Sequence, residues 1–313
     1  MVYDMNQPAR QRGMKILLLV ATIAVAAAVI IGAVIQMQPD DSDERTTVMA
    51  TFYPLAHLAE EIGGDHVTVD TLVPPNTEIH AWQPSTADIL QADDADVLLY
   101  NGANLDHWFE DDILPALSTT GKTIVETTAN VTLRTANGDI DPHTWVSPYV
   151  ARQQAQAIYQ ALATHDPANA SSYTDNWKQL RERLTDLDTR YQQELADRQK
   201  NVIFVTHAAY GYLAERYGFE QQSVIGLSGD EQPGTAAIAT LVDRMEKEQV
   251  YTIYVDPVYA DTYAGMLERT LQAKTGHDAE VLELYLMLGP VDGLDYHGQQ
   301  ETNLDNLKRG LDA

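Results

Sequence analysis

Three of the nine histidines lie just beyond the end of a predicted strand or turn, a setting that the other histidines lack. His80 occurs in NTEIHAWQPS, His143 in DPHTWVSP, and His207 directly after the strand NVIFVT. Neutral imidazoles are common zinc ligands, and three of them with one oxygen make a four-coordinate site that needs no thiolate. Glu283 interrupts the otherwise apolar strand EVLELY and is the candidate for that oxygen. These residue types predict a site for a divalent metal ion.

The candidate ligands are widely separated in the chain, so no local motif such as H-E-x-x-H is present and the fold must gather them. Asp256, which ends VYTIYVDP, and Glu78 are alternative oxygen donors. A loop histidine is also commonly a surface or packing residue, so residue types alone leave both interpretations open. Asp141, two residues before His143, is predicted either to orient that imidazole or to cap the turn.

The composition restricts the partners of this chain. Its 313 residues include 46 Asp and Glu against 20 Lys and Arg, for a formal net charge of -26. Such a surface attracts cations and repels nucleic acid, so we expect no nucleic-acid partner, although solubility alone accounts for the acidity equally well. No cysteine is present, which excludes disulfides, thiolate ligands and a lipid-modified cysteine. Any metal ligands must then be His, Asp or Glu.

Residues 16–37 are predicted to form a transmembrane signal anchor. The run ILLLVATIAVAAAVIIGAVI carries no charge and is long enough to cross a hydrocarbon core of roughly 30 Å. Basic residues before it and acidic residues after it place residues 1–15 in the cytoplasm and the domain on the outer face of the cell membrane. Residues 38–46 then form a solvated linker. A cleavable signal peptide is the alternative, which the length of the run disfavours.

From residue 47 onward strands alternate with helices, which predicts an α/β fold of two lobes with mostly parallel sheets. Residues 47–165 form the N-terminal lobe, residues 166–200 one long rigid connecting helix, and residues 201–313 the C-terminal lobe. The helix is predicted from apolar residues at steps of three and four: Tyr173, Trp177, Leu180, Leu184, Leu187, Tyr191 and Leu195. A coiled-coil dimer is the alternative, but aromatic seam residues favour packing against its own lobes, in a monomer.

Several longer motifs occur in order along the chain: YPLAHLAEEIGG, PPNTEIHAWQPS, ADVLLYNGANLDHW, DPHTWVSP, DPANASSYTDNW and THAAYGYLAERYG. With them, the chain resembles the solute-binding component of zinc- and manganese-uptake ABC transporters over nearly all of residues 47 to 312. The resemblance implies two lobes joined by one rigid helix, a receptor rather than an enzyme, and metal ligation by His80, His143 and His207. The fourth ligand varies in that family, and the sequence around Glu283 departs from its pattern.

The resemblance and the donor set together predict the ligand. Three imidazoles and at most one carboxylate suit Zn2+ better than Mn2+, which prefers oxygen donors, so Zn2+ is the expected transported ligand and Mn2+ the alternative. The expected protein partner is the permease of an ABC transporter. Two alternative functions are a secreted zinc metallohydrolase, in which Glu78 would be the general base, and a surface adhesin with the same fold. Because protons compete for imidazoles, metal affinity is expected to fall as the pH drops through about 6.5.

Overall fold

Strands and helices alternate through residues 45–228, 234–259 and 262–313, the part of the chain that the computed structural model describes. The predicted cytoplasmic segment 1–15, the predicted anchor 16–37 and most of the predicted linker lie outside the described residues. Within the described ranges, no helix is both long enough and apolar enough to cross a membrane.

The first sheet has four parallel strands. Its elements are β1 (Thr46–Ala50), α1 (Tyr53–Gly63), β2 (Val67–Thr71), α2 (Thr86–Asp94), β3 (Val97–Tyr100) and β4 (Thr123–Glu126). The strand order is β2-β1-β3-β4, so the central β1 pairs with a parallel strand on each side. Local signals set the helix ends: Ser85 and Asp88 form a capping box before α2, and Gly64, at a φ of 54°, ends α1.

Two long helices follow, where the sequence predicts only one. They are α3 (Pro148–His165) and α4 (Ala170–Glu194), and they pack against each other. The apolar stripe predicted for the connecting helix is the buried face of α4, although this helix is shorter than the predicted span 166–200. The sequence does not predict α3, because the buried face of that helix is rich in alanine and gives only a weak apolar period.

The second sheet repeats the order of the first. Its elements are β7 (Val202–His207), α5 (Gly211–Tyr217), β8 (Glu220–Ile225), α6 (Thr235–Glu248), β9 (Thr252–Val255), α7 (Thr262–Thr275), β10 (Glu280–Glu283) and α8 (Tyr296–Leu311). Its strands are parallel, in the order β10-β9-β7-β8. A short antiparallel pair, β5 (Thr135–Ala136) and β6 (Asp139–Ile140), stands between the two sheets in the sequence. The two parallel sheets confirm the predicted α/β class.

Hydrogen bonds tie the segment after β6 to the C-terminal part of the chain. The Trp145 indole donates to the Leu286 carbonyl at 2.7 Å, the Tyr296 hydroxyl donates to the Trp145 carbonyl, and the Gln300 amide donates to the Val146 carbonyl at 2.9 Å. One hydrophobic core also contains side chains from both sheets. The segment that carries His143 is therefore held by residues from both halves. The predicted lobe boundaries at 165 and 201 stay a prediction.

Candidate metal centre

His80, His143 and His207 lie together in the folded chain. Each contributes a ring nitrogen to a group in which all the potential ligand atoms lie within 4.8 Å of one another. The Nε2 atoms of His80 and His143 are 3.3 Å apart. Bonds of about 2.0 Å to one tetrahedral ion would place ligand nitrogens about 3.3 Å apart, so this separation fits a shared metal. His143 and His207 are only 1% and 2% exposed, and His80 is half-buried.

Asp141 holds the imidazole of His143 in place. His143 donates from its ring Nδ1 to Asp141 Oδ1 at 2.9 Å and from its backbone N–H to the same oxygen at 3.1 Å. The carboxylate therefore both orients the ring and caps the turn, which combines the two roles that the sequence left open. With the proton on Nδ1, the lone pair of His143 is on Nε2, the atom that faces His80.

Asp141 is itself held in place by Arg134 and by close packing against Gly211. Arg134 donates to Asp141 Oδ2 at 2.8 Å, and the Tyr212 hydroxyl donates to the Asp141 carbonyl oxygen at 2.8 Å. Burial by itself would raise the pKa of Asp141, but the hydrogen bonds from His143 and the charge of Arg134 outweigh it and lower that pKa. A Cβ at Gly211 would lie 2.2 Å from the Arg134 guanidinium and 2.5 Å from Asp141, so only glycine fits beside this pair.

Asn101 supports the same loop and was not singled out from the sequence. Its side-chain amide donates to the Pro142 carbonyl at 3.1 Å, and its side-chain oxygen accepts from Thr144 at 3.1 Å and from Gln154 at 3.0 Å. Asn101 is fully buried, directly after β3. A polar residue immediately after the apolar strand VLLY is the signal that could have identified it. The sequence gives no comparable signal for Arg134, because this residue does not directly follow a strand or helix.

His80 is positioned by Glu78. The backbone N–H groups of His80 and Ala81 donate to the two carboxylate oxygens of Glu78, each at 2.9 Å. The Tyr259 hydroxyl lies 3.5 Å from one of those oxygens. Glu78, which the sequence offers as an oxygen donor or a base, therefore has both oxygens engaged by its own loop.

His207 is the last residue of β7, the central strand of the second sheet. Its Nε2 lies 3.0 Å from the Leu227 carbonyl oxygen, which only accepts, so the proton resides on Nε2 and the lone pair on Nδ1. That Nδ1 is buried and has no hydrogen-bond partner. A buried nitrogen without a partner is costly in a protein interior, and a metal ion would satisfy it.

Burial keeps the imidazoles of His80 and His207 neutral. Desolvation, followed by the neighbouring His143 and His207, lowers the pKa of His80 to about 2, and desolvation, followed by His143, lowers the pKa of His207 to about 3. Both rings therefore offer a lone pair at any pH above about 4. The sequence-based expectation of proton competition near pH 6.5 treats the rings as exposed, and burial moves that competition to lower pH.

We therefore expect zinc affinity at pH 5.5 to be within about tenfold of the affinity at pH 7.5. Three exposed imidazoles with an ordinary pKa of about 6.5 would each lose roughly tenfold at pH 5.5, about a thousandfold together. Calorimetric zinc titrations of the full chain at both pH values, in buffers that do not bind metal, distinguish the two cases. A loss approaching a thousandfold would show that the three rings are accessible to protons.

A cavity of about 430 Å³ reaches His80 of the cluster. Its lining includes His80, His107, Pro142 and Leu227. Access to the centre is therefore through a space bordered by the segments that follow β2, β3, β6 and β8. His107, which the sequence leaves without a role, lies on this path rather than within the cluster.

The carboxylate candidates lie elsewhere. Glu283, at the end of β10, accepts a hydrogen bond from the Tyr285 hydroxyl at 2.6 Å and lines a different cavity, of about 650 Å³, with Glu268. It does not belong to the histidine cluster, and its role as fourth ligand stays a prediction. Asp256 is buried, and its two oxygens accept from the backbone N–H groups of Val258 and Leu286. Desolvation raises the pKa of Asp256 to about 6.

Two parallel sheets, in a fold that brings three imidazoles to one centre, are the arrangement of a metal-binding solute receptor. The chain belongs to the ZnuA family, described as zinc-uptake complex component A, periplasmic, whose model matches residues 48–310. This match confirms the resemblance that the motifs carry. The family is one of receptors rather than enzymes, acting outside the cytoplasm.

Known proteins agree with this assignment. The chain is 29% identical, over 87% of its length and 89% of the relative, to the high-affinity zinc uptake system protein ZnuA of Bacillus subtilis. It is 27% identical, over 92% of its length and 94% of the relative, to the iron-binding protein YfeA of Yersinia pestis. The Zn(II)-bound ZnuA-like domain of Streptococcus pneumoniae AdcA superposes with a TM-score of 0.73 at 27% identity, covering 86% of this chain and all of that domain (100%).

Proposed function

We propose that this protein captures one Zn2+ ion outside the cytoplasm through His80, His143 and His207 and delivers it to the permease of an ABC transporter. The observation that carries the proposal is the convergence of three ring nitrogens, within 4.8 Å, from segments far apart in the sequence. The family match supports zinc as the cargo and uptake as the process. The ion is cargo, so its binding must be reversible.

A different residue or element positions each of the three histidines. Asp141 fixes the tautomer and direction of one ring, Glu78 fixes the loop of another, and the strand end fixes His207. A water molecule, or Glu283 after a movement of β10, would complete four-coordination. The donor set of three nitrogens favours a borderline-soft cation, which is why we propose Zn2+ over Mn2+.

We expect the full chain to bind Zn2+ at least about tenfold more tightly than Mn2+, in the order that N/O sites show for divalent metals. Competitive titration with a chromophoric chelator, with Mg2+ as a control that should not compete, measures this ratio. If the chain failed to bind Zn2+, or bound Mn2+ more tightly, zinc uptake would no longer be a tenable function.

Attachment to the membrane is part of the same proposal. Residues 16–37 serve as the single-pass anchor, with residues 1–15 inside the cell and the binding domain outside, as a monomer. The chain has no cysteine that could carry a lipid, so an apolar helix is the means of anchoring that its composition leaves available. The acidic linker at 38–46 then keeps the domain clear of anionic headgroups.

A further inference from the structure

A second group of metal-binding side chains lies away from the three-histidine centre and shares no residue with it. His57, Glu61 and His297 contribute ligand atoms that all lie within 4.8 Å of one another. The sequence suggests that both histidines are structural or solvated. His57 and Glu61 are one turn apart on α1, so their side chains share a face of that helix, and His297 is the second residue of α8.

The distances within this group fit a shared ion. His57 Nε2 lies 3.8 Å from Glu61 Oε1, and His297 Nε2 lies 3.0 Å from Glu61 Oε2. These values bracket the separation of about 3.3 Å between ligands of a tetrahedral zinc ion. The ring centroids of the two histidines are 5.4 Å apart at an angle of 63°, so the rings converge from different directions.

One atom of the group lacks any other explanation. His57 is 9% exposed, and its Nε2 is buried with no hydrogen-bond partner. This nitrogen lies 3.8 Å from a carboxylate oxygen of Glu61, so a buried donor without a partner faces an oxygen donor, and a divalent cation between them would satisfy both.

We propose that His57, Glu61 and His297 form a second zinc site that joins α1 to α8, with water in the fourth position. On binding, His297 exchanges the Nε2 proton that it shares with Glu61 for the ion, and the proton moves to Nδ1 or to solvent. The site does not depend on the proposed function, because none of its ligands belongs to the transport centre.

Arg183 on α4 competes for this site. Its guanidinium donates to Glu61 Oε2 at 2.6 Å, and its side chain is 54% exposed. The arginine can therefore swing into solvent when a cation binds. Its presence makes the second site weaker than an unopposed set of two imidazoles and one carboxylate would be, because the positive charge disfavours a second cation.

The test uses calorimetric titration of the full chain with Zn2+ alone. Wild type should bind two equivalents and His297→Ala only one, with the tighter equivalent retained. The matched control is His277→Ala, since His277 is a histidine on an exposed turn against Tyr251; it should keep two. Binding of two equivalents by His297→Ala would overturn the proposal, as would a single equivalent in wild type that His297→Ala retains.

A gain of affinity separates ligand loss from misfolding. Removing the competing charge by Arg183→Ala should tighten the weaker equivalent by about two- to fivefold, because an exposed ion pair of this kind is worth that factor. Damage to the fold cannot produce such a gain. Unchanged or weaker binding in this variant would count against the site. Failure of the transport proposal would instead appear as loss of the tighter equivalent, which these variants leave intact.

Discussion

Replacing His143 with alanine is expected to lower the affinity of the tight zinc site at least about 100-fold. Zinc binding by a four-ligand protein site is worth roughly 10–16 kcal/mol, so one ligand contributes about 3 kcal/mol. His143 is the most buried of the three rings and lies 3.3 Å from the Nε2 of His80. Its removal takes away one nitrogen donor and leaves Asp141 with Arg134 and the backbone N–H of residue 143.

Chelator competition on the full chain measures this loss, with His277→Ala as the matched removal of a histidine elsewhere. Circular dichroism and the unfolding temperature in the presence of a metal chelator establish that the variant folds. The control should match wild type. Should His143→Ala bind zinc within a few-fold of wild type, the convergence of the three rings would be a packing feature and not a transport site.

The second large effect is expected from Asp141→Asn, at about 10- to 100-fold weaker zinc binding. The carboxylate accepts from His143 on one oxygen and from Arg134 on the other. An amide of the same shape has only one acceptor, so either its NH2 faces the Arg134 donors or its NH2 faces the imidazole N–H. Both arrangements weaken the bond that orients the ring, and loss of such a supporting partner typically costs 10- to 100-fold in metal affinity.

Asp139→Asn is the control for this variant, because Asp139 is an exposed carboxylate two residues away. It removes the same charge without touching the His143 hydrogen bond. An equal loss in both variants would assign the effect to the net charge of the loop. A loss confined to Asp141→Asn, with no change in the unfolding temperature of the metal-free chain beyond that of the control, would assign it to the orientation of His143.

Most of the regular elements can be predicted from local pattern. The β-strands TTVMA and VIFVTH are short, mostly buried runs, and the stripe of Tyr173, Leu180 and Leu187 on α4 has the spacing of one helix face. Ligands of such folds bind beyond the carboxyl ends of strands, which is why the histidines after β2 and at the end of β7, in different sheets, were candidates for one site. The helix α3 was not predicted, because its buried face is rich in alanine and has no clear apolar period.

Local sequence, then, determined the α/β class and made the three histidines candidate ligands, because strand period, helix period and the position of a polar residue after a strand are properties of neighbouring residues. Only the tertiary structure decided what surrounds them: the Arg134–Asp141 pair, the amide of Asn101, and the meeting of His57 with His297. These contacts join residues distant in the chain, so they depend on how the elements pack. The local periodicity of the sequence does not determine which of these side chains will be in contact.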